Sequence, residues 1–362
     1  MNYVQRLNDA LDYAVDTNYD VWNRQNDIRK DIYSHKNVVV LGTGEFFDDC
    51  AIPMHLLRFE YCGDNNPAKW GKSFKGRKCL SPQEIAALDD AAVIIMIGTW
   101  GPIYEQLKGM GICCYPMDWY SLNVYDTHYS NSWFAKRREK IIEGLNLFED
   151  DLSREVYTEA ICNRIAPPLA QKTFDEIKIP GEYFESGIFE MSDEEYIVEA
   201  GAYTGDSIEK FYKLKQEKYG AIYAFELDPA IFEELKKNVK NYDNGNIELY
   251  NYGVSDSYSE FDYNYIQGTR SHKAKVGAID ELLIGKKVTY IKMDVETYEL
   301  RALEGAKNMI TTQQPKLCIS AYHYLSDLWE VPHKIKSLVS GYKLYLRHHS
   351  PCVWDTDCYA YK

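Results

Sequence analysis

No stretch of this chain runs to about 18 consecutive apolar residues, so no membrane span is expected. No Cys-x-x-Cys pair occurs among the nine cysteines, Cys50, Cys62, Cys79, Cys113, Cys114, Cys162, Cys318, Cys352 and Cys358. An odd number of scattered thiols argues against a disulfide framework or a structural zinc site, and for reduced, mostly buried thiols. The segment Met1–Asp20 has no basic start followed by an apolar run. It carries Asp9, Asp12, Asp16 and Asp20, unlike a secretory signal, and a cytoplasmic location is expected. Positive charge is in short supply, with 41 Lys and Arg against 55 Asp and Glu, a net charge of −14. Such a surface binds nucleic acid and anionic lipid poorly, so no nucleic-acid partner is expected. No Gly-x-Gly-x-x-Gly turn is present, which weighs against a dinucleotide enzyme. Internal repeats and low-complexity segments are also missing.

What is present is enough apolar material for real cores. Apolar residues make up 45% of the 362 positions, and that length suggests two domains or one large one. Val4, Leu7, Leu11, Ala14 and Val15 recur at helical spacing, and Val21, Trp22 and Ile28 extend the pattern, so residues 2–35 read as helix. Asn37–Leu41 is a short β-branched run ending in Gly42-Thr43-Gly44, a strand entering a turn. Arg58–Cys62 reads as a second strand. Ser81-Pro82-Gln83-Glu84 has the pattern of a capped helix start. Ala92–Gly98 is apolar on both faces, as a central parallel strand would be, and a strand at Ile112–Tyr115 follows a helix near 102–109. Strands alternating with helices make residues 1–130 a small parallel α/β domain. Residues 131–178 are mostly helical and charged and read as a linker. The second domain is expected over 179–362.

In that second domain the alternation is clearer. Tyr196–Gly201, Ala221–Glu226, Ile247–Val254, Val288–Asp294 and Lys316–Tyr322 read as strands. Helices are expected at Ser207–Gln216, Pro229–Val239 and about 298–310. Tyr342–His348 and Val353–Tyr361 form a close antiparallel pair across a short Ser350-Pro351 turn. Five parallel strands closed by an edge hairpin make a second, larger α/β sheet.

Four segments carry chemistry. Val198-Glu199-Ala200-Gly201-Ala202-Tyr203-Thr204-Gly205-Asp206 takes a strand through a glycine turn into a helix, where backbone can approach a ligand. An ordinary strand-to-helix turn would look similar. Phe225-Glu226-Leu227-Asp228-Pro229 ends the next strand, with Glu226 placed 27 positions after Glu199 to accept hydrogen bonds from both hydroxyls of an unphosphorylated ribose. Asp294, Glu296 and Glu299 gather three carboxylates after the fourth strand. Asp294 could position a hydroxyl, act as a base or ligate a divalent metal, while Glu296 and Glu299 equally suit a helix N-terminus. His323 follows the fifth strand and is a natural general base. Of the adjacent His348 and His349, at most one should point inward.

Together these segments resemble the FkbM family of S-adenosylmethionine-dependent methyltransferases, over roughly residues 180–362. The resemblance is carried by Lys292-Met293-Asp294-Val295-Glu296 with Glu299 and Ala302-Leu303-Glu304-Gly305-Ala306. Tyr322-His323 with Asp327-Leu328-Trp329, Gly341-Tyr342, Leu346-Arg347-His348-His349 and Ala278–Leu282 add to it. It implies a Rossmann-like class I methyltransferase sheet and O-methylation, often of sugars. It implies a cofactor site with Glu199, Gly201, Tyr203, Thr204, Gly205, Glu226 and Asp228, and a reacting centre with Asp294, His323, Glu296 and His348. Two departures stand out. Glu199 replaces an aspartate, and Glu296-Thr297-Tyr298-Glu299 replaces Glu-Gly-x-Glu, which narrows the crevice. The amino-terminal unit resembles the small Rossmann-like domain preceding catalytic domains in some sugar-modifying enzymes, on Gly42-Thr43-Gly44, Gly63-Asp64-Asn65, Gly71, Gly76 and Leu80–Glu84. Such domains can hold a nucleotide-linked sugar or serve structure and dimerisation.

The leading expectation is therefore an O-methyltransferase using S-adenosylmethionine on a small-molecule or glycan hydroxyl. A divalent metal and a homo-oligomer are both compatible with the sequence. The rival readings are an NAD-dependent oxidoreductase and a non-catalytic nucleotide-sugar-binding module.

Overall fold

Val38 to Leu41 and Ala92 to Ile95 are buried on both faces, and these two runs form the centre of the first sheet. The structure is a computed structural model that describes residues 2–16, 21–44, 58–120, 129–185, 187–215, 218–242, 245–263 and 272–362. The chain forms two compact units. Unit 1 comprises Met1–Ile142, Glu155–Lys178 and Ser350–Trp354; unit 2 comprises Glu143–Arg154, Ile179–His349 and Asp355–Lys362. Residues 131–178, read from the sequence as a linker, contain the helices Asn131–Glu143, Asp151–Ile165 and Phe174–Ile177 and divide between the units.

Unit 1 holds strands β1 (Asn37–Leu41), β2 (Tyr61–Gly63), β3 (Ser73–Phe74), β4 (Arg77–Leu80), β5 (Ala91–Ile95) and β6 (Cys113–Pro116), in the order β3-β4-β2-β1-β5-β6. All pairs are parallel except β3 with β4. The expected strand from Arg58 begins only at Tyr61. The carbonyl of Phe59 is taken by the Arg77 guanidinium at 2.8 Å instead of by a ladder partner. The β3–β4 hairpin was not anticipated; Lys75 (φ 47°) and Gly76 (φ 78°) form its two-residue turn. Ser81 caps the helix Pro82–Ala86 through a full capping box with Glu84, as the sequence suggests. The expected helix over 2–35 is described as Tyr3–Asp16 and Val21–Ser34, residues 17–20 lying outside the described residues.

Unit 2 holds β7 (Tyr196–Ala200), β8 (Ala221–Phe225), β9 (Ile247–Tyr250), β10 (Gly253–Val254), β11 (Ser259–Tyr263), β12 (His272–Gly277), β13 (Tyr290–Met293), β14 (Lys316–Ser320), β15 (Lys343–His348) and β16 (Thr356–Tyr361). Its main sheet runs β15-β16-β14-β13-β7-β8-β9. The five strands from β14 to β9 are parallel, and β16 is antiparallel to both of its neighbours. The strand order reverses at β7, and the crevice at the carboxyl ends of β7 and β13 is where such sheets bind ligands.

Three expectations for this unit change. Ile247–Val254 is not one strand, because the Asn251 side chain turns to donate to the carbonyls of Glu226 (2.9 Å) and Leu227 (3.2 Å). Gly253-Val254 joins instead a separate small sheet, β10-β12-β11. The helix expected over 298–310 is two helices, Glu299–Gly305 and Lys307–Gln313, meeting at Ala306 (φ −107°, ψ 10°). Finally, β15 and β16 are joined by residues 349–355, a longer connection than a two-residue turn.

Gly305 closes the first of those helices against the Ser255 backbone. A β-carbon at this position would lie 1.9 Å from the Ser255 carbonyl oxygen. Gly→Ala inside a helix ordinarily stabilises by about 1 kcal/mol. Here the sign reverses: Gly305→Ala should destabilise by about 1–3 kcal/mol in urea unfolding, because backbone must move to admit the methyl group.

Candidate active site

The turn after β7 is shaped by main-chain constraints. Gly201 has φ +80°, and a β-carbon there would sit 1.8 Å from the carbonyl oxygen of Asp294, so only glycine fits. The N–H groups of Gly201 and Ala202 both donate to the Phe225 carbonyl, at 3.0 and 2.9 Å. Tyr203 follows with φ +46° and stands 54% exposed. Gly205 serves packing: a β-carbon would press on Leu235 (3.0 Å) and Val239 (3.2 Å). The Thr204 carbonyl accepts from Asn238 at 2.9 Å.

A cavity of about 430 Å³ opens beside this turn. Gly201, Tyr203, Glu226, Asp228, Asp294 and Glu296 all line it; Thr204, Gly205, Glu199, His323 and His348 do not. Glu226 is nearly buried, and its two oxygens accept from Tyr203 N (3.0 Å) and Asp228 N (2.7 Å). Burial pushes its carboxyl above the ordinary range, and the two N–H donors pull it back. Each carboxylate oxygen keeps a lone pair for a ligand donor. Asp228 caps the helix Pro229–Asn238, accepting from Ala230 N (2.7 Å) and Ile231 N (3.1 Å).

Glu199 lies behind the cavity wall. It is buried, and its Oε1 accepts from Ser207 Oγ and from Lys292 Nζ, both at 2.8 Å. Lys292 also donates to the Gly201 carbonyl at 3.1 Å and itself lines the cavity. Burial works against the Lys292 ammonium, but Glu199 and then Asp294 push its pKa up, so the cation persists at neutral pH. Glu199 thus acts on the glycine turn through Lys292.

The far end of the cavity is a cluster of charge. Tyr322 OH donates to both oxygens of Asp294 at 3.2 Å. His323 is buried, with Nδ1 3.1 Å from Glu299 Oε1 and Nε2 3.4 Å from Asp294 Oδ1 and 3.5 Å from Glu296 Oε2. Burial lowers the His323 pKa, but Glu299 and then Asp294 and Glu296 outweigh it and push it up to about 10. As a free imidazole it would hold its proton at neutral pH and brace the carboxylates rather than act as a base. His348 lies elsewhere, buried on β15 with Nδ1 2.8 Å from Thr356 Oγ1. His349 faces the Ile179 carbonyl (3.1 Å) and Tyr359 OH (2.8 Å).

Lys292, Tyr322, and the wall formed by Tyr183, Tyr252, Phe261 and Val276 were not anticipated. Lys292 alone left a signal: it stands two residues before Asp294, on the same strand face, as a lysine inside a buried run. Glu299, read as helix-terminal charge, is buried and accepts from Val295 N at 2.9 Å.

Unit 1 has its own cavity of about 390 Å³, with Gly42, Thr43, Asp64, Lys69, Asp175 and Lys178 in its wall. Both lysines there are already paired, Lys69 with Asp64 (2.9 Å) and Lys178 with Asp175 (2.6 Å), so the wall offers no surplus positive charge for a phosphate.

Residues 199–344 match the family model described as the methyltransferase FkbM domain. Over those residues the chain is similar to an FkbM methyltransferase domain. The glycine turn, Glu226 and the Asp294–His323 cluster all fall inside the matched segment. Among solved structures, methyltransferase FkbM from Methylobacillus flagellatus KT is 22% identical, covers 99% of this chain and 100% of its own, and gives a TM-score of 0.70. That is a shared fold. Fibrillarin from Aeropyrum pernix, in complex with natively bound S-adenosyl-L-methionine, is 14% identical over 49% of this chain and 70% of its own, with a TM-score of 0.31. An rRNA methylase from Streptococcus thermophilus is 12% identical over 47% of this chain and 87% of its own, with a TM-score of 0.31. No curated protein matches the chain. Among the described residues no helix is long and apolar enough to cross a membrane.

Two residues of the site give predictions. Thr297, where the resemblance leads one to expect glycine, has φ +79°, a conformation costly for a β-branched residue. Thr297→Gly should raise stability by about 1 kcal/mol, the relieved strain exceeding the added unfolded-chain entropy; a lower urea midpoint would show that the turn is not strained. Asp355 is half-buried, and burial, then Glu182 and Asp294, push its carboxyl up to about 7. The unfolded value is about 3.9. Between these values the folded chain holds a proton that the unfolded chain releases, so stability falls as pH rises through that window. Asp355→Asn, which also tolerates φ +60°, should be neutral near the low end and increasingly stabilising up to neutral pH. Denaturant curves across that range would check it.

Proposed function

We propose that this FkbM-like domain uses S-adenosylmethionine and transfers its methyl group to an oxygen, on a hydroxyl of a sugar or related small molecule. The observation that carries the cofactor half is Glu226: a carboxylate fixed by two backbone donors at the cavity rim, beside a glycine turn, 3.0 Å from Tyr203 N. Two hydroxyls on adjacent ribose carbons match its two oxygens, and a 2′-phosphate would meet a negative charge. The wall of Phe225, Ile231, Tyr252 and Val254 suits an adenine ring on the same side.

Bound there, S-adenosylmethionine would supply a methyl carbon made electrophilic by its sulfonium. The chain's own contribution is placement. Asp294 lines the cavity with its carboxylate held by Tyr322 and His323, and accepts a hydrogen bond from the acceptor hydroxyl. As the oxygen–carbon bond forms and the carbon–sulfur bond breaks, the hydroxyl proton passes toward that carboxylate. The charges of Asp294 and Glu296 also favour a cationic methyl donor nearby. Tyr298, which lines the cavity and stacks on Arg301 at 5.3 Å, offers a flat apolar face of the kind that receives sugar rings. The sugar acceptor rests on the family resemblance and this aromatic surface together.

Calorimetric titration with S-adenosylhomocysteine tests the cofactor half. Glu226→Ala should weaken binding by about 10-fold or more, as loss of a charged hydrogen-bond acceptor does. Asp294→Ala should keep binding while turnover of any accepted hydroxyl falls by about 10²-fold or more. A folded wild-type protein that binds neither S-adenosylmethionine nor S-adenosylhomocysteine would overturn the proposal.

A further inference from the structure

Three ligating side chains converge at the inner end of the cavity. One carboxylate oxygen of Asp294, one of Glu299 and one ring nitrogen of His323 lie within 4.8 Å of one another. They come from three places in the chain: the end of β13, the first turn of the helix Glu299–Gly305, and the segment after β14. Two of them, Glu299 and His323, are 1% exposed. Asp294 also lines the cavity, so the cluster meets the open space there; Glu296 lines it too but stands outside the cluster.

A second observation sets this cluster apart from a group of solvated acids. Glu299 Oε1 is engaged by Val295 N and His323, but Oε2 is buried and has no hydrogen-bond partner among the described residues. A buried carboxylate oxygen without a donor is strongly disfavoured unless something other than a protein N–H or O–H satisfies it. Two carboxylates, Asp294 and Glu299, also face a single histidine, with Glu299 and His323 both buried.

We infer that Asp294, Glu299 and His323 bind a divalent cation of the Mn²⁺ class, with the acceptor hydroxyl completing its coordination from the cavity side. Carboxylate oxygens with one imidazole suit Mn²⁺ or a similar first-row ion better than the soft, thiolate-seeking metals. The inference rests on the proposed methyl transfer for its role. A carboxylate alone is a weak base toward an aliphatic hydroxyl. A cation on the hydroxyl oxygen lowers its pKa, the proton leaves to the Asp294 oxygen not on the cation, the oxygen attacks the methyl carbon, and the carbon–sulfur bond releases its pair to sulfur.

The test reads binding and not turnover. Full-length protein stripped with EDTA and desalted is titrated with MnCl₂, free Mn²⁺ being followed by electron paramagnetic resonance. One equivalent should bind, and pulsed measurements on the wild-type complex should show nitrogen coupling from one histidine. His323→Ala and Glu299→Gln, checked for folding by circular dichroism, should weaken binding by about 10–100-fold. No binding at millimolar Mn²⁺, or binding without histidine coupling, overturns the inference. Binding unchanged in His323→Ala also overturns it and sends the search for the ion elsewhere, first to the group Asp31, His35 and Cys113 in unit 1. The wild-type spectrum decides the matter if both variants misfold. Titrating the same stripped protein with S-adenosylhomocysteine separates the two ideas: binding of the nucleoside without Mn²⁺ removes the cation alone, and Mn²⁺ without the nucleoside removes the methyltransferase reading.

Discussion

The main chain of Gly201 and the main chain of Asp294 touch. The Asp294 carbonyl occupies the place a β-carbon of residue 201 would need, and Asp294 N donates to the Ala200 carbonyl at 3.0 Å. The glycine turn on the proposed cofactor side and the strand end on the proposed acceptor side are thereby one object. Lys292 strengthens the link from within the sheet, joining the Glu199 carboxylate to the Gly201 carbonyl. A buried ion pair of this kind adds little net stability, because desolvation offsets attraction. Its value here is geometric: Gly201 O is pinned, and with it the direction of the following N–H groups. Methyl transfer needs donor and acceptor within a narrow range of distance and angle. A site whose two halves share a backbone contact holds that range without any flexible side chain in between.

From that contact the rest of the site follows in two directions. Toward β8, the Gly201 and Ala202 N–H groups bind the Phe225 carbonyl, which sets Glu226 at the rim. Glu226 then fixes Tyr203 N and Asp228 N, and Asp228 starts the helix Pro229–Asn238. Toward β14, Asp294 engages Tyr322 and His323, and His323 engages Glu299. The first direction is a chain of backbone donors onto carboxylates, suited to a neutral sugar hydroxyl pair. The second is a convergence of carboxylates on one ring, suited to positive charge.

These two halves were not equally legible in the sequence. The central strands announced themselves as β-branched runs, and the cofactor turn as a strand, two glycines and an acid at the next strand end, all local signals. The β11–β12 hairpin escaped because its alternation is carried by weakly apolar residues. Ala274 and Val276 are buried while the alternating Lys273 and Lys275 are exposed, so the mean hydropathy is low. In the acceptor half, Asp294 and His323 stood out by type, but their partners did not. Tyr322 reaches Asp294 across 28 positions, and Glu299 finds His323 only because β13 and β14 are adjacent. His348 shows the reverse. Nearness to the end of a strand suggested a role, but β15 pairs with β16 so that His348 faces Thr356.

Backbone strain marks the same place. Of the eight non-glycine residues with positive φ among the described residues, Tyr183, Tyr203 and Glu296 line the cavity, and Thr297 adjoins it. Strained φ persists where the surrounding structure over-determines it, and it gathers at sites where side chains must face a ligand. Tyr203 and Glu296 both project from turns that begin at the Gly201–Asp294 contact, one on each side of it. A relaxed turn at either position would swing the side chain away from the cavity or pull the two main chains apart. The departure from glycine at Thr297 therefore does not loosen the site. It adds a β-branched residue to a turn already committed to a left-handed path, and Tyr298 follows from that turn into the crevice. Under the proposed methyl transfer, the strained turn leaves the cofactor half as it is and places Tyr298 on the surface that would meet the acceptor.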